Sequence, residues 1–227
     1  MKARKIGSLA AVWLAMSLLT GCASNPGLNS SANPSAVSSI QSNAPQACPP
    51  DVSQCDSQTK TNELALENER IDTYNQITAS FTPMSFDEAI GLFQNQGTGL
   101  IYFGFSRCPW CQEVVPLLKE AADQNGVEVF YVKTRDAMKE RLYTDEQRDQ
   151  IAPYIGEYLQ DNDEGIPTLY VPLVLAVVDG QVIDGHQGTV EDHDAHERTM
   201  TADEAKQVGQ TMDQLASDLK SAWAPAK

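Results

Sequence analysis

The sequence predicts an α/β domain with a central mixed sheet flanked by helices and an N-terminal helical extension. Two observations carry this prediction. Apolar runs of strand length alternate with helix-length segments that open on capping signals. From Ser85 onward the order is helix, strand, helix, strand, helix, strand, strand, helix, with no internal repeat.

Leu64, Ile71, Tyr74 and Ile77 recur at near-helical spacing, so residues 62–78 are expected to form a helix laid against the domain. Ser85-Phe86-Asp87-Glu88 is a capping box that opens the next helix, which Gly97 and Gly99 end. Leu100 to Phe105 is a continuous apolar run suited to a central strand covered on both faces. A helix then starts at Cys108-Pro109-Trp110-Cys111 and closes at Asn125-Gly126, and Val127 to Val132 reads as the next strand. Residues 135–160 are helical in composition, with a second capping box at Thr144 to Gln147 and a break near Pro153. Leu173 to Val178 and Gln181 to Ile183 form a hairpin about Asp179-Gly180. Thr201-Ala202-Asp203-Glu204 caps the last helix.

The ends of the chain read differently. Residues 1–21 have the three parts of a secretory signal: Lys2, Arg4 and Lys5, an apolar run of about 14 residues from Ile6 to Leu19, then small residues. That run is shorter than the roughly 20 residues of a membrane-spanning helix. Its ending, Leu19-Thr20-Gly21-Cys22, resembles the lipobox of bacterial lipoproteins, which implies lipidation at Cys22 and an extracytoplasmic protein anchored to the cell membrane. Residues 22–59 have a tether composition, rich in Ser, Asn, Pro and Ala, followed by an extension at 60–84 and the domain at 85–224. The formal charge of −15 becomes about −18 without the signal's three cations. Such a surface excludes nucleic acid as a partner and excludes a charge-driven grip on anionic lipid.

With Cys22 assigned to lipid, the remaining cysteines fall into two close pairs, Cys48/Cys55 and Cys108/Cys111. Cys48 and Cys55 are read as a structural disulfide stapling the end of the tether; a redox role or free thiols stay open alternatives. Cys108 and Cys111 suit thiol exchange, which needs a thiolate, a second thiol in reach and access for a client. Cys108 falls at a helix start, where unpaired N–H groups and the helix dipole favour negative charge. Pro109 suits the first turn, and Cys111 lies on the same helix face. Arg107 is expected to add favourable charge and Glu113 to oppose it. Trp110 is expected to be exposed, as a substrate-binding contact for protein clients.

These elements resemble the thioredoxin superfamily: an apolar strand, Cys-Pro-x-Cys, a long helix, and a later proline before a β-hairpin. The resemblance implies a cis-proline beside the cysteines. Pro172, eight residues before Gly180, matches the family's spacing, whereas Pro167, thirteen before it, does not. It also implies that Val171 pairs its backbone with substrate, and valine there resembles the periplasmic disulfide oxidases. Tyr102 departs from the family, which carries a buried aspartate at that place for proton transfer to the second thiol. That route is expected to be absent. Closest within the superfamily is a likeness to bacteriocin transport accessory proteins, over about residues 80–222, through Met84 to Ala89, Ile101 to Phe105, Val171-Pro172 and Gly188-Thr189-Val190.

The catalytic candidates are thus Cys108, Cys111 and Pro172, with Trp110 and Val171 for substrate. No cofactor and no metal is expected. A zinc site would need further ligands, and His193-x-x-His196 reads as a solvated loop. The expected activity is thiol–disulfide exchange on exported proteins or peptides, with oxidation favoured and a membrane redox partner to reset the pair. A non-catalytic accessory lipoprotein of a peptide or bacteriocin transport system is the alternative.

Overall fold

A computed structural model describes residues 52–223, with side chains described from residue 59. The calls at Cys22 and Cys48, the signal segment and most of the tether lie outside the described residues. So does the side chain of Cys55, whose backbone is helical.

Five strands form one mixed sheet: β1 (Thr82–Met84), β2 (Gly99–Gly104), β3 (Val129–Lys133), β6 (Leu173–Val178) and β7 (Gln181–Gln187). Their order is β1-β3-β2-β6-β7, with β1, β3 and β2 parallel and β6 and β7 antiparallel. The helices are α1 (Val52–Thr78), α2 (Phe86–Gln94), α3 (Pro109–Asn125), α4 (Asp145–Ile155) and α5 (Ala202–Trp223). Strands β4 (Leu159–Asp161) and β5 (Pro167–Leu169) pair only with each other.

The central strand β2 is buried along its whole length, so its alternation divides the core in two. Leu100 and Tyr102 face a cluster with Val114, Leu118, Met212 and Leu215 from α3 and α5, together with Tyr74 of α1. Ile101 and Phe103 face the other side, against Phe86, Ile90 and Phe93 of α2 and Ile151 and Ile155 of α4. Capping fixes where these helices begin. Ser85 and Glu88 close both halves of a capping box, as do Thr144 with Gln147 and Thr201 with Glu204. The turn between β6 and β7 has φ of 50° at Asp179 and 71° at Gly180, the left-handed pair that a two-residue hairpin requires.

Several sequence expectations are corrected. Helix α1 starts at Val52, inside the segment read as tether, and Leu64, placed on its buried stripe, is 58% exposed. The helix meets the core only near its C-terminal end, through Tyr74 and Ile77. Strand β1, assigned to the extension, is an edge strand of the sheet, too short to show a period. Residues 135–143 are not helical. The Asp136 carboxylate accepts the backbone N–H groups of Met138 (2.8 Å) and Glu140 (2.9 Å), Lys139 sits at φ 66°, and Arg135 bridges to Arg141. An aspartate that binds its own downstream amides competes with a helix and here wins. Helix α4 ends at Ile155, two residues past Pro153 and so near the expected break, with the proline inside its last turn. Strand β7 runs four residues further than Ile183.

Candidate active site

Helix α3 starts beneath the end of β2, and its N-cap is Cys108 (φ −94°, ψ 112°). The Cys108 sulfur takes the role an Asn or Ser oxygen usually plays at this position, accepting the Cys111 N–H at 3.2 Å. A sulfur that accepts a backbone N–H at the positive end of a helix sits where negative charge is favoured. Its thiol also reaches the Val171 carbonyl oxygen at 3.6 Å. That carbonyl belongs to the cis peptide bond Val171–Pro172, the bond singled out by its spacing from Gly180; Pro167 instead opens strand β5. Cys108, Cys111 and Val171-Pro172 are therefore brought together from two elements far apart in sequence.

Both thiols are free. They differ in access: Cys108 keeps 4% of its surface and Cys111 keeps none. Burial pushes the Cys111 thiol well up, with further upward contributions from the Cys108 sulfur, against which the Phe105 backbone and the Tyr102 hydroxyl pull it down. The pair thus consists of one sulfur that keeps a small exposed surface and one held behind it.

The charged neighbours are engaged elsewhere. Arg107 donates to Glu67 of α1 at 2.9 Å and to the Ala137 carbonyl at 3.4 Å, so its charge is shared with a carboxylate. Glu113, expected to oppose the thiolate, turns to the 190–200 loop, where it meets His193 Nε2 at 2.9 Å and accepts the Met200 N–H at 3.0 Å. That loop is not the solvated stretch its polar sequence suggests, because the His193 side chain is fully buried. Trp110 is corrected as well. It is half-buried, its Nε1–H donates to the His193 carbonyl at 3.3 Å, and its ring meets His196 edge-on at 4.7 Å. The indole clamps the loop rather than standing free. Tyr170, beside Val171 and 44% exposed, is the aromatic that does face solvent.

Pro109 also lines two clefts of about 320 Å³ between α1 and the start of α3; one holds Arg70, Arg107, Lys139, Glu67 and His196. A cleft of about 700 Å³ lies between α3 and α5 and touches neither cysteine. Among the described residues no group of His, Cys, Asp and Glu is arranged to hold a metal ion, and no helix is long and apolar enough to cross a membrane.

Beneath the cysteines lies a feature that sequence reading missed. Tyr74 of α1, Tyr102 of β2 and Tyr131 of β3 bring their hydroxyls together, with Tyr74 Oη 3.1 Å from each of the others. The advance signal was only that each of two neighbouring apolar runs carries a tyrosine, Tyr102 and Tyr131; it is the register of the parallel sheet that pairs them directly. No family model matches the chain, and no curated protein matches it.

Proposed function

We propose that this chain is a thiol–disulfide oxidoreductase of the thioredoxin-like fold, acting outside the cytoplasm on exported proteins or peptides. The observation that carries the reading is the Cys108 sulfur at the N-cap of α3, accepting the Cys111 N–H and lying 3.6 Å from the Val171 carbonyl. In the oxidising direction a client thiolate attacks Cys108 of the bridged pair and Cys111 leaves as thiolate. A second client thiol then attacks the mixed disulfide, the client gains a disulfide, and the pair is left reduced. In the reducing direction Cys108 attacks a client disulfide and Cys111 resolves the adduct. The 4% exposure of Cys108 against none for Cys111 supports this division of labour. Backbone pairing at Val171, with Tyr170 as the exposed aromatic beside it, is the proposed client contact.

The valine at 171 favours the oxidising direction. A membrane redox partner resets the pair, and acylation at Cys22 keeps the domain at the membrane. Replacing Cys108 with Ser tests the chemistry: insulin reduction and refolding of reduced ribonuclease should both disappear, and a Cys111→Ser variant should accumulate mixed disulfides with clients. A wild-type protein that binds its partners but exchanges no thiols would overturn the reading in favour of an accessory lipoprotein. A reduction potential near the roughly −270 mV of thioredoxin would reverse the direction.

A further inference from the structure

The residues on either side of Cys108 share a feature that thiol exchange does not use. Arg107 and Pro109 both line a cleft of about 320 Å³ whose other walls come from distant chain. Glu67 and Arg70 reach it from α1, Lys139 from the turn at 136–140, and His196 from the 190–200 loop. The chain carries 31 acids against 16 bases, so a cation on its surface meets carboxylates almost everywhere. Here three cations meet one carboxylate, a net of two positive charges beside the sulfur that keeps some exposure.

The acids close to these cations are occupied. Glu67 holds Arg107 at 2.9 Å, and the Asp136 carboxylate takes the backbone N–H groups of Met138 and Glu140. Glu69 and Glu113 line the adjoining cleft that shares Arg70, but Glu113 is held by His193 and the Met200 N–H. Among the described residues neither Arg70 nor Lys139 has a carboxylate within 4.0 Å. Lys139 also stands at φ 66°, a left-handed conformation that glycine adopts freely and a residue with a side chain does not. A glycine would relieve this turn, yet a lysine is there and its side chain lines the cleft. The turn is tied to the segment before Cys108, because the Ala137 carbonyl accepts from Arg107 at 3.4 Å. Cations gathered in a concave site attract an anion more strongly than the same charges spread over open surface, where water screens them fully.

We propose that this cleft is a carboxylate subsite for the client, taking an aspartate, a glutamate or a chain-terminal carboxylate within a few residues of the client's reacting cysteine. The subsite rests on the redox reading for the cysteine beside it. Both chain neighbours of Cys108 line the cleft, so a group bound there lies alongside whatever chain is joined to that sulfur. Arg70 and Lys139 take the carboxylate, while Arg107, already shared with Glu67, holds α1 and the turn in place around them. An anionic membrane fits this site less well, because a net charge of −15 repels an extended anionic surface, whereas a single carboxylate enters the cleft. The selection is for position and not for total charge. A neutral or basic client gains from one acid next to its cysteine, and a uniformly acidic client is repelled by the rest of the surface.

A pair of disulfide-bearing peptides, otherwise neutral and differing only in Glu or Gln beside the cysteine, tests the subsite on the reduced full-length protein. The Glu peptide should show a KM roughly 3- to 10-fold below that of the Gln peptide, and the gap should close at about 1 M salt. Arg70→Gln and Lys139→Gly should each narrow it. Lys139→Gly carries a second readout: glycine relieves φ 66°, so the urea midpoint should not fall while the preference does. A midpoint that drops with the preference intact would make the lysine structural and overturn its role. Equal KM values for the two peptides in the unsubstituted protein would overturn the subsite and leave the redox reading standing. Titrating the Cys108→Ser/Cys111→Ser protein with the two reduced peptides reads binding without chemistry. A Glu preference there, in a protein whose unsubstituted form exchanges no disulfide, would uphold the subsite and sink the redox reading instead. Binding to phosphatidylglycerol vesicles that is lost in Arg70→Gln, with no peptide preference, would assign these cations to the membrane and overturn the proposal.

Discussion

The two faces of the sheet are built from the same strands but bury different things. Against α2 and α4 the core is apolar and aromatic: Phe86 stacks on Tyr143 at 4.5 Å, Phe93 stacks on Tyr154 at 5.1 Å, and Phe103 meets Phe86 edge-on at 6.0 Å. Against α1, α3 and α5 the core includes two thiols and a chain of three hydroxyls, with the Glu113–His193 contact at its border. Burying polar groups costs free energy unless each finds a partner. The first face holds the fold together, whereas the second spends part of its burial on groups whose protonation can change.

Mutations on the two faces should therefore fail in different ways. The largest loss of stability is expected from Phe103→Ala on the apolar face, about 3–5 kcal/mol in denaturant unfolding, because a fully buried ring leaves a cavity. The Cys111 titration should not move in the surviving folded protein. A comparable shift in that titration would mean the faces are not independent. Gly104→Ala strikes the other face. The added methyl meets the Tyr102 hydroxyl and ring edge, so overpacking should cost about 1–3 kcal/mol and displace the Tyr102 hydroxyl from that of Tyr74. Here the Cys111 titration and the exchange rate should change more than the stability does.

The smallest effect is a pH dependence. His186 lies across from Val174 in the β6–β7 register and so shares the face of the cysteines. Burial lowers the His186 pKa from its ordinary 6.5, with hydrogen bonds to the Gly188 and Thr189 backbone and then the Asp184 charge partly offsetting it, and among the described residues Nε2 has no partner. The unfolded chain therefore binds the proton more readily than the folded one. The stabilisation is fully present above 6.5 and is lost as pH falls below that value toward the lower folded pKa. His186→Gln should flatten this part of the stability profile, measured as urea midpoints between pH 7.5 and 5. An unaltered slope would assign the effect to other groups.

Much of the framework was legible in the residues. Capping boxes at Ser85, Thr144 and Thr201 located helix starts because a side chain three residues from its partner amide is a local event. The apolar runs located β2 and β6, and Asp179-Gly180 located the hairpin, for the same reason. Legibility stopped where a contact depends on distant chain. The polar string from Val190 to Met200 gives no hint that His193 is buried, because the cause is Glu113, 80 positions away. Trp110 looked like a free surface aromatic until the same loop was found folded onto it. The Asp136 turn was missed although it is local, since Asp136 sits in a stretch of good helix formers and the competition is decided by its own side chain.

The residues alone determined that two cysteines would stand at the start of a helix after a buried strand, because a proline after the first cysteine and an apolar run before it leave few other local solutions. Packing alone decided which sulfur is reachable, that Val171 closes over it, and that Tyr74 arrives from α1 to join Tyr102 and Tyr131. Those are contacts between segments 28 to 63 positions apart. No local preference encodes them. They exist because burying both faces of one sheet forces those segments into the same few ångströms.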